Sequence, residues 1–159
     1  MINLTEYWHD RESRYRLECT GQIRENAAKT VEAVNKLLAY AEIDGIIRDE
    51  VSSGWRPKSI NDQTANAAKT SKHLTAEACD IEDAGRELAQ WCLLNLDKLD
   101  ICGLWIEDPR FTYSDNGKHW VHFQTVAPKS GKRVFIPNNN PPKGSALVGQ
   151  KPIPTRLKI

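Results

Sequence analysis

The chain has 159 residues, of which 40% are hydrophobic and 27% are charged. This composition is typical of one globular domain that can bury its core without disulfides or structural metals. No run of about 18 apolar residues is present, so we expect no transmembrane helix and no membrane partner. The N-terminus is charged from its sixth residue and lacks an apolar stretch, so we expect no secretory signal and synthesis in the cytoplasm. Four scattered cysteines without a Cys-x-x-Cys pair favour reduced, buried thiols.

The net charge of +1 hides an uneven distribution of charge along the chain. Residues 127–159 contain seven Lys or Arg and no Asp or Glu, and removing those seven from the 22 basic residues leaves 15 against 21 acidic ones. A basic tail is typical either of a solvated arm or of a segment that binds an anionic polymer such as nucleic acid. The tail has little aromatic content, so we favour the solvated arm and do not expect nucleic-acid binding.

The first half of the chain predicts helices. Residues 1–20 read as a short helical arm with aromatic anchors. Thr20 can cap a long helix that we expect from Gln22 to about Gly45. The apolar residues of this helix recur at three- and four-residue steps, which indicates one buried face: Ile23, Ala27, Val31, Val34, Leu38 and Ala41.

The rest of the body predicts short strands interleaved with helices. We expect strands within residues 45–57, 77–83, 101–108 and 119–126, a short helix within 59–71, and a longer helix over 84–98 capped by Asp83. This order predicts the α+β class, with a small, mostly antiparallel sheet and helices packed on it in a single domain. The domain would span residues 1–126, and 127–159 would form an extended tail rich in Pro and Asn.

Two ionisable side chains fall where the pattern predicts burial, and a histidine precedes them. Asp80 lies in the apolar stretch "ACDI" and His122 lies in the middle of "WVHFQ", while His73 precedes the first of these strands. A buried carboxylate without a partner costs several kcal/mol. Two histidines and one carboxylate can hold a divalent zinc and leave it an open position, as in catalytic zinc sites. Taken singly, each histidine could instead be an ordinary core or surface residue, and Asp80 could cap a neighbouring element or pair with an arginine.

Three motifs resemble one family. "SKHLTAEACD" (71–80) is similar to the Ser-x-His-x(6)-Asp motif of the zinc D-Ala-D-Ala carboxypeptidases and related peptidoglycan peptidases, peptidase family M15. "WVHFQ" (120–124) looks like the strand that supplies the last ligand, and "SSGWRP" (52–57) looks like the Ser-Gly-Tyr-Arg element. The resemblance covers about half of the chain and implies the Hedgehog/DD-peptidase fold. It implies Zn²⁺ bound by His73, Asp80 and His122.

The resemblance has one departure. The family often carries Gly three residues after its first ligand, and this chain carries Ala76 there. Glycine permits a positive φ or a close backbone approach, whereas alanine suits only an ordinary conformation. The departure therefore concerns the geometry of the loop that precedes Asp80.

The resemblance also implies substrate-binding residues. Arg56 stands near the spacing of the arginine that binds the substrate carboxylate, and a guanidinium suits that group. The alternative for Arg56 is an exposed turn residue before a proline. Ser71 would either bond the substrate and orient His73 or only close its loop. Trp120 would form a wall of the cleft or pack beneath the metal.

Two residues compete for the role of general acid and base. His119 stands three residues before His122, which requires the strand to begin after His119 or to be bulged, because a regular strand would point the two in opposite directions. Glu107 would lie on the face of a neighbouring strand that lines the cleft. We rank these two equally and place Asp115 behind them.

The resemblance implies that the protein is a zinc metallopeptidase that cleaves peptidoglycan stem peptides, as a D-Ala-D-Ala carboxypeptidase or a D,D-endopeptidase. The peptide would be its partner, and we expect a monomer. A phage-type lysis enzyme that reaches the cell wall by another route suits the missing signal. The alternative is a non-catalytic domain of the same fold that binds wall peptide or protein around a structural or vestigial zinc.

Overall fold

A computed structural model describes residues 1–65 and 67–137 of the chain. Among them are six α-helices and one 3-10 helix, which follow each other as α1 (Leu4–Trp8), α2 (Arg11–Arg14), α3 (Gly21–Ile43), α4 (Lys58–Gln63), the 3-10 helix (Lys72–Thr75), α5 (Glu87–Leu94) and α6 (Leu96–Ile101). The strands are β1 (Val51–Ser53), β2 (Ala78–Glu82), β3 (Trp105–Glu107), β4 (Trp120–Gln124) and β5 (Val134–Phe135). The predicted α+β class is confirmed.

The five strands form one mixed sheet in the order β1-β2-β4-β3-β5. The first three pairings are antiparallel, and β5 joins β3 in parallel. The two five-residue strands, β2 and β4, are central, and their register pairs Asp80 with His122. Because directly paired residues project from the same face of a sheet, these two side chains emerge side by side.

The other face of the sheet carries the core. Alternate residues of the three middle strands project there and are fully buried or nearly so: Cys79, Ile81, Ile106, Val121 and Phe123. Helix α3 packs its predicted apolar stripe into the same cluster, and the Thr20 side chain accepts a hydrogen bond from Ile23 N, as expected for its cap. The helices thus cover one face, and the polar pair of β2 and β4 lies on the opposite face.

The N-terminal segment is bound to the domain by specific polar contacts. Ile2 exchanges two backbone hydrogen bonds with the Asn35 side chain on α3. The Tyr7 side chain is fully buried, and its hydroxyl donates to the carbonyl of Ala78 at 2.9 Å. That carbonyl lies at the start of β2, beyond the reach of the short strand β1. The Tyr7 hydroxyl therefore provides a hydrogen-bond donor for this carbonyl.

Several predicted boundaries differ from the structure. The helix expected over 84–98 is two helices, because Asn95 leaves the helical conformation between α5 and α6. The Asp83 carboxylate nevertheless accepts hydrogen bonds from Leu88 N and Ala89 N at the start of α5. The strands expected over 45–57 and 101–108 shorten to three residues each. Strand β5 lies within the segment predicted as an extended tail, of which residues 138–159 lie outside the described residues.

Within residues 1–65 and 67–137, no helix is both long enough and apolar enough to traverse a bilayer.

The Glu6 carboxylate ties α1 to the approach to β1. Arg48 donates to both of its oxygens, at 2.7 and 2.9 Å, and Val51 N donates at 3.3 Å. Burial alone would raise the pKa of Glu6, but these hydrogen bonds and the charge of Arg48 outweigh burial and leave the pKa lowered. A lowered pKa in the folded chain means that ionised Glu6 stabilises the fold.

Glu6→Gln is expected to lower the free energy of unfolding at neutral pH by about 1–2 kcal/mol. The loss should be complete above the ordinary glutamate pKa of about 4.3, and it should shrink as the pH falls through the lowered pKa of Glu6. Urea unfolding of parent and variant between pH 3 and 7 measures it. Glu25→Gln is the control, because Glu25 pairs with Lys29 on the exposed surface of α3. A Glu6 effect that is constant with pH would contradict the role of the ionised carboxylate.

Candidate metal centre

A row of side chains crosses all five strands on the face opposite the helices. The register pairs Ser53 with Asp80, Asp80 with His122, and Glu107 with Phe135. Continuing the β3–β4 register by one residue from the Ile106–Phe123 pair places Glu107 across from His122. Two carboxylates and a histidine from three adjacent strands therefore lie side by side, and His73 reaches the row from outside the sheet.

His73 is positioned by the 3-10 helix. Ser71 precedes this helix, and its hydroxyl accepts a hydrogen bond from His73 N at 3.3 Å. The ring is almost fully buried, and its Nδ1 lies 2.7 Å from the carbonyl oxygen of Gly54. A carbonyl only accepts, so Nδ1 carries the proton, and Nε2 faces the carboxylate of Asp80.

Asp80 stands between two histidines. Its Oδ2 is 3.1 Å from Nε2 of His73, and its Oδ1 is 2.7 Å from Nδ1 of His122. One ligand atom from each of the three side chains can be chosen so that all three lie within 4.8 Å of one another. Donor atoms around a tetrahedral zinc are about 3.3 Å apart, given bond lengths of about 2.0–2.1 Å. Small side-chain rotations would thus bring the three onto one ion.

The electrostatics of the cluster are those of a buried anion between two bases. Burial alone would raise the pKa of Asp80, but the two histidines hold it well below its ordinary value. Burial lowers the pKa of His73 in spite of the opposing charge of Asp80. For His122, burial also acts to lower the pKa, but Asp80 and Glu107 outweigh it and the pKa is raised. Asp80 is therefore ionised at neutral pH.

The donor set fits a cation. If His73 is neutral, its Nε2 lone pair points at a carboxylate oxygen 3.1 Å away, and two acceptors at this distance repel unless a proton or a metal lies between them. Two imidazoles and a carboxylate are ligands that zinc prefers. The carbonyl of Gly54, which holds Nδ1 of His73, is the outer partner typical of metal-binding histidines. The group His73, Asp80 and His122 can therefore hold a metal ion.

Gly54 allows the N-terminal segment to approach the centre. A Cβ atom at this position would overlap the backbone carbonyl of Tyr7 and press on its ring. The chain from β1 to the Gly54 carbonyl can therefore lie directly against α1 only if residue 54 is glycine. The sequence motif "SSGWRP" contains this residue, but the need for glycine follows from a contact across 47 positions that no local pattern reveals.

Arg56 lies beside the cluster rather than in an exposed turn. Its backbone N–H donates to the carbonyl of His73 at 2.9 Å, which joins the two loops. Its guanidinium is half-buried and donates to Ser53 Oγ and Asn61 Oδ1, both at 3.2 Å. Burial lowers the pKa of Arg56, and the nearby charge of Asp80 opposes this.

The two candidates for the general base occupy different surroundings. Glu107 stands across from His122, and burial raises its pKa, while the charge of His122 acts against that shift. His119 precedes the first residue of β4 and pairs with Tyr113 in an isolated bridge. The charges that act on its ring are those of Arg86 and Asp83 rather than the cluster, and its Nδ1 has no hydrogen-bond partner among the described residues. Asp115 is exposed in the loop between them.

The remaining predicted residues border the cluster. Trp120 is half-buried, pairs with Glu82 and lies on the face of β4 that carries His122. The Phe135 ring of β5 packs edge-on against His122, with centroids 6.2 Å apart. No local sequence pattern predicts this contact. Ala76 takes a left-handed conformation with φ of 57°, which glycine adopts more easily. The chain accepts this strain three residues after His73.

Comparisons of the chain with protein-family models, with curated proteins and with solved structures found no match.

Gly54→Ala tests whether the close approach of Tyr7 shapes the centre. The added methyl group must displace either α1 or the Gly54 carbonyl that orients His73. We expect a loss of about 1–3 kcal/mol in the free energy of unfolding and a roughly 10–100-fold weaker affinity for zinc. Chemical denaturation and competition with a chelating dye measure the two.

Gly21→Ala is the matched control. Gly21 begins α3, and an added Cβ there meets nothing within 4 Å, so we expect an unchanged zinc affinity and a slight gain in stability. Equal effects of the two substitutions on zinc affinity would contradict the view that the contact of Gly54 with Tyr7 shapes the centre.

Proposed function

We propose that the chain is a zinc-dependent metallopeptidase that cleaves peptidoglycan stem peptides at a D-alanine-containing bond. The observation that carries this proposal is the row of side chains on the face of the sheet opposite the helices. It places a three-residue metal-binding group between a second carboxylate, Glu107, and the guanidinium of Arg56. The M15 resemblance supports the same ligand set and the same substrate class.

In this proposal, His73, Asp80 and His122 hold zinc. Zinc supplies an activated water and polarises the scissile carbonyl when it is bound. Glu107 is the base that takes the proton of the attacking water, because it stands across from His122 and its surroundings are largely desolvated. It then gives the proton to the leaving amine. Arg56 binds a carboxylate of the peptide through N–H groups that its two neutral partners leave free.

His119 is the less suitable base. Its ring lies beside the ring of Tyr113, and the two ring centroids are 6.3 Å apart. The backbone carbonyl of His119 accepts a hydrogen bond from Asp83 N. The Asp83 contact joins the start of β4 to the residue after β2, and the Tyr113 contacts join it to the loop between β3 and β4. We therefore infer a structural role for His119.

Metal content tests the ligand set. The parent chain, purified without chelators, should contain one zinc per chain. His73→Ala and Asp80→Asn should lower the zinc affinity by at least 100-fold, because each removes one of three ligands. Inductively coupled plasma mass spectrometry measures the metal, and circular dichroism checks the fold. The control is His9→Ala, which removes a histidine of the N-terminal segment. Zinc retained in both ligand variants, or absent from the parent, would refute the site.

Activity tests the base. Release of D-alanine from a pentapeptide that ends in D-Ala-D-Ala should fall by about 10²–10⁴-fold in kcat for Glu107→Gln, with zinc content unchanged. His119→Gln should stay within about threefold of the parent. The reverse ranking would assign the base to His119. Stoichiometric zinc without turnover of any stem peptide would favour the non-catalytic peptide- or protein-binding alternative.

A further inference from the structure

A second arginine lies next to Arg56. Arg11 begins α2, and its Nη1 donates to the carbonyl of Trp55 at 2.8 Å, on the residue that directly precedes Arg56. Arg11 is half-buried, and both burial and the charge of Arg56 lower its pKa. Arg11 thus lies against the loop between β1 and α4 that carries Arg56, near enough for the two like charges to act on each other.

Neither guanidinium forms an ion pair in the part of the chain that the structure describes, and the charges of Asp10 and Asp80 act on Arg11 and Arg56 only from a greater distance. Arg11 bonds one carbonyl, and Arg56 bonds one hydroxyl and one amide oxygen. Asp10, the carboxylate next in sequence to Arg11, forms its ion pair with Arg14. Asp80 is engaged at both oxygens by histidines. A guanidinium offers five N–H donors, so most donors of both arginines remain free.

The turn between α1 and α2, which precedes Arg11, has an unusual backbone conformation. His9 and Asp10 both take left-handed conformations, with φ of 48° and 63°, between α1 and α2. Neither is glycine, and consecutive residues in this region are strained. The turn directs Arg11 onto the Trp55 carbonyl instead of into solvent. Strain that holds a charged side chain near another of the same charge suggests a ligand that compensates both.

We propose that Arg11 and Arg56 form one carboxylate-binding subsite, in which the N-terminal segment supplies a specificity residue for the C-terminal carboxylate of the peptide. This inference rests on the proposed function for the identity of the ligand. Arg11 is a substrate-binding residue here and takes no part in proton transfer. The subsite favours a peptide with a free C-terminus over the same peptide blocked as an amide.

The experiment compares two probes, N-acetyl-D-alanyl-D-alanine and its C-terminal amide. Binding is measured by isothermal titration calorimetry on the zinc-loaded full chain, with Glu107→Gln present throughout so that the peptide is not consumed. We expect the acid to bind at least about tenfold more tightly than the amide, since hydrogen bonds to a charged group are worth that much. Adding Arg11→Gln should remove most of this preference by weakening the acid alone.

Two further variants separate charge from geometry. Arg14→Gln removes an exposed arginine of the same helix and should leave both affinities unchanged. Arg11→Lys keeps the charge and one donor but loses the planar fork, so its preference should be intermediate. Thermal unfolding of each variant reports whether the fold is weakened. If Arg11→Gln weakens it, Arg11→Lys replaces that variant in the test. Full acid preference in folded Arg11→Gln or Arg11→Lys, or equal binding of the two probes by the parent, overturns the subsite.

Failure of the subsite and failure of the proposed function give different results. Hydrolysis of the pentapeptide by the unsubstituted chain, without any acid preference, would leave the peptidase and remove the subsite. An acid preference that depends on Arg11, without hydrolysis by the unsubstituted chain, would leave the subsite and remove the peptidase. Binding of neither probe would overturn the subsite as well.

Discussion

The structure depends on one buried carboxylate. Asp80 stands in a central strand, largely removed from water, and each of its oxygens meets a histidine nitrogen. Burial of a charge is costly unless opposite charge or hydrogen bonds offset it. The central pairing of β2 with β4 supplies one histidine, and the 3-10 helix before β2 supplies the other. The register of the sheet, the cap at Ser71 and the contact of His73 with Gly54 all serve to keep these two rings on Asp80.

The sequence predicted the parts of this arrangement that depend on local chemistry. The α3 stripe and its Thr20 cap follow from helical periodicity, and the motif around His73 and Asp80 indicates a metal-binding group. Element ends were less predictable. The three-residue strands and the break at Asn95 depend on which partners lie alongside, and periodicity carries no information about partners. The polar group could be proposed from sequence, whereas its neighbours Gly54 and Phe135 depend on tertiary packing.

Residues far apart in sequence decide what the centre can do. The N-terminal segment was predicted only as a helical arm, yet Tyr7 bonds the backbone of β2 and Arg11 bonds the loop that carries Arg56. Both contacts join residues more than 40 positions apart, so no short motif contains them. The competing bases show the same limit. Spacing alone ranked His119 and Glu107 equally, and it is the register of β3 on β4 and the bridge of His119 to Tyr113 that separate their surroundings.

The bond from Tyr7 to Ala78 has a consequence for how the chain matures. The centre includes the loop at Gly54 and His122 of β4, and Tyr7 of α1 bonds the strand that carries Asp80. During synthesis these pieces leave the ribosome at widely separated times, and folding that depends on such non-local contacts is slow. An ion that binds all three ligands would therefore be captured late, when the whole sheet assembles. Loading and the final folding step would then be one cooperative event, and a chain interrupted before β4 would hold no ion in this way.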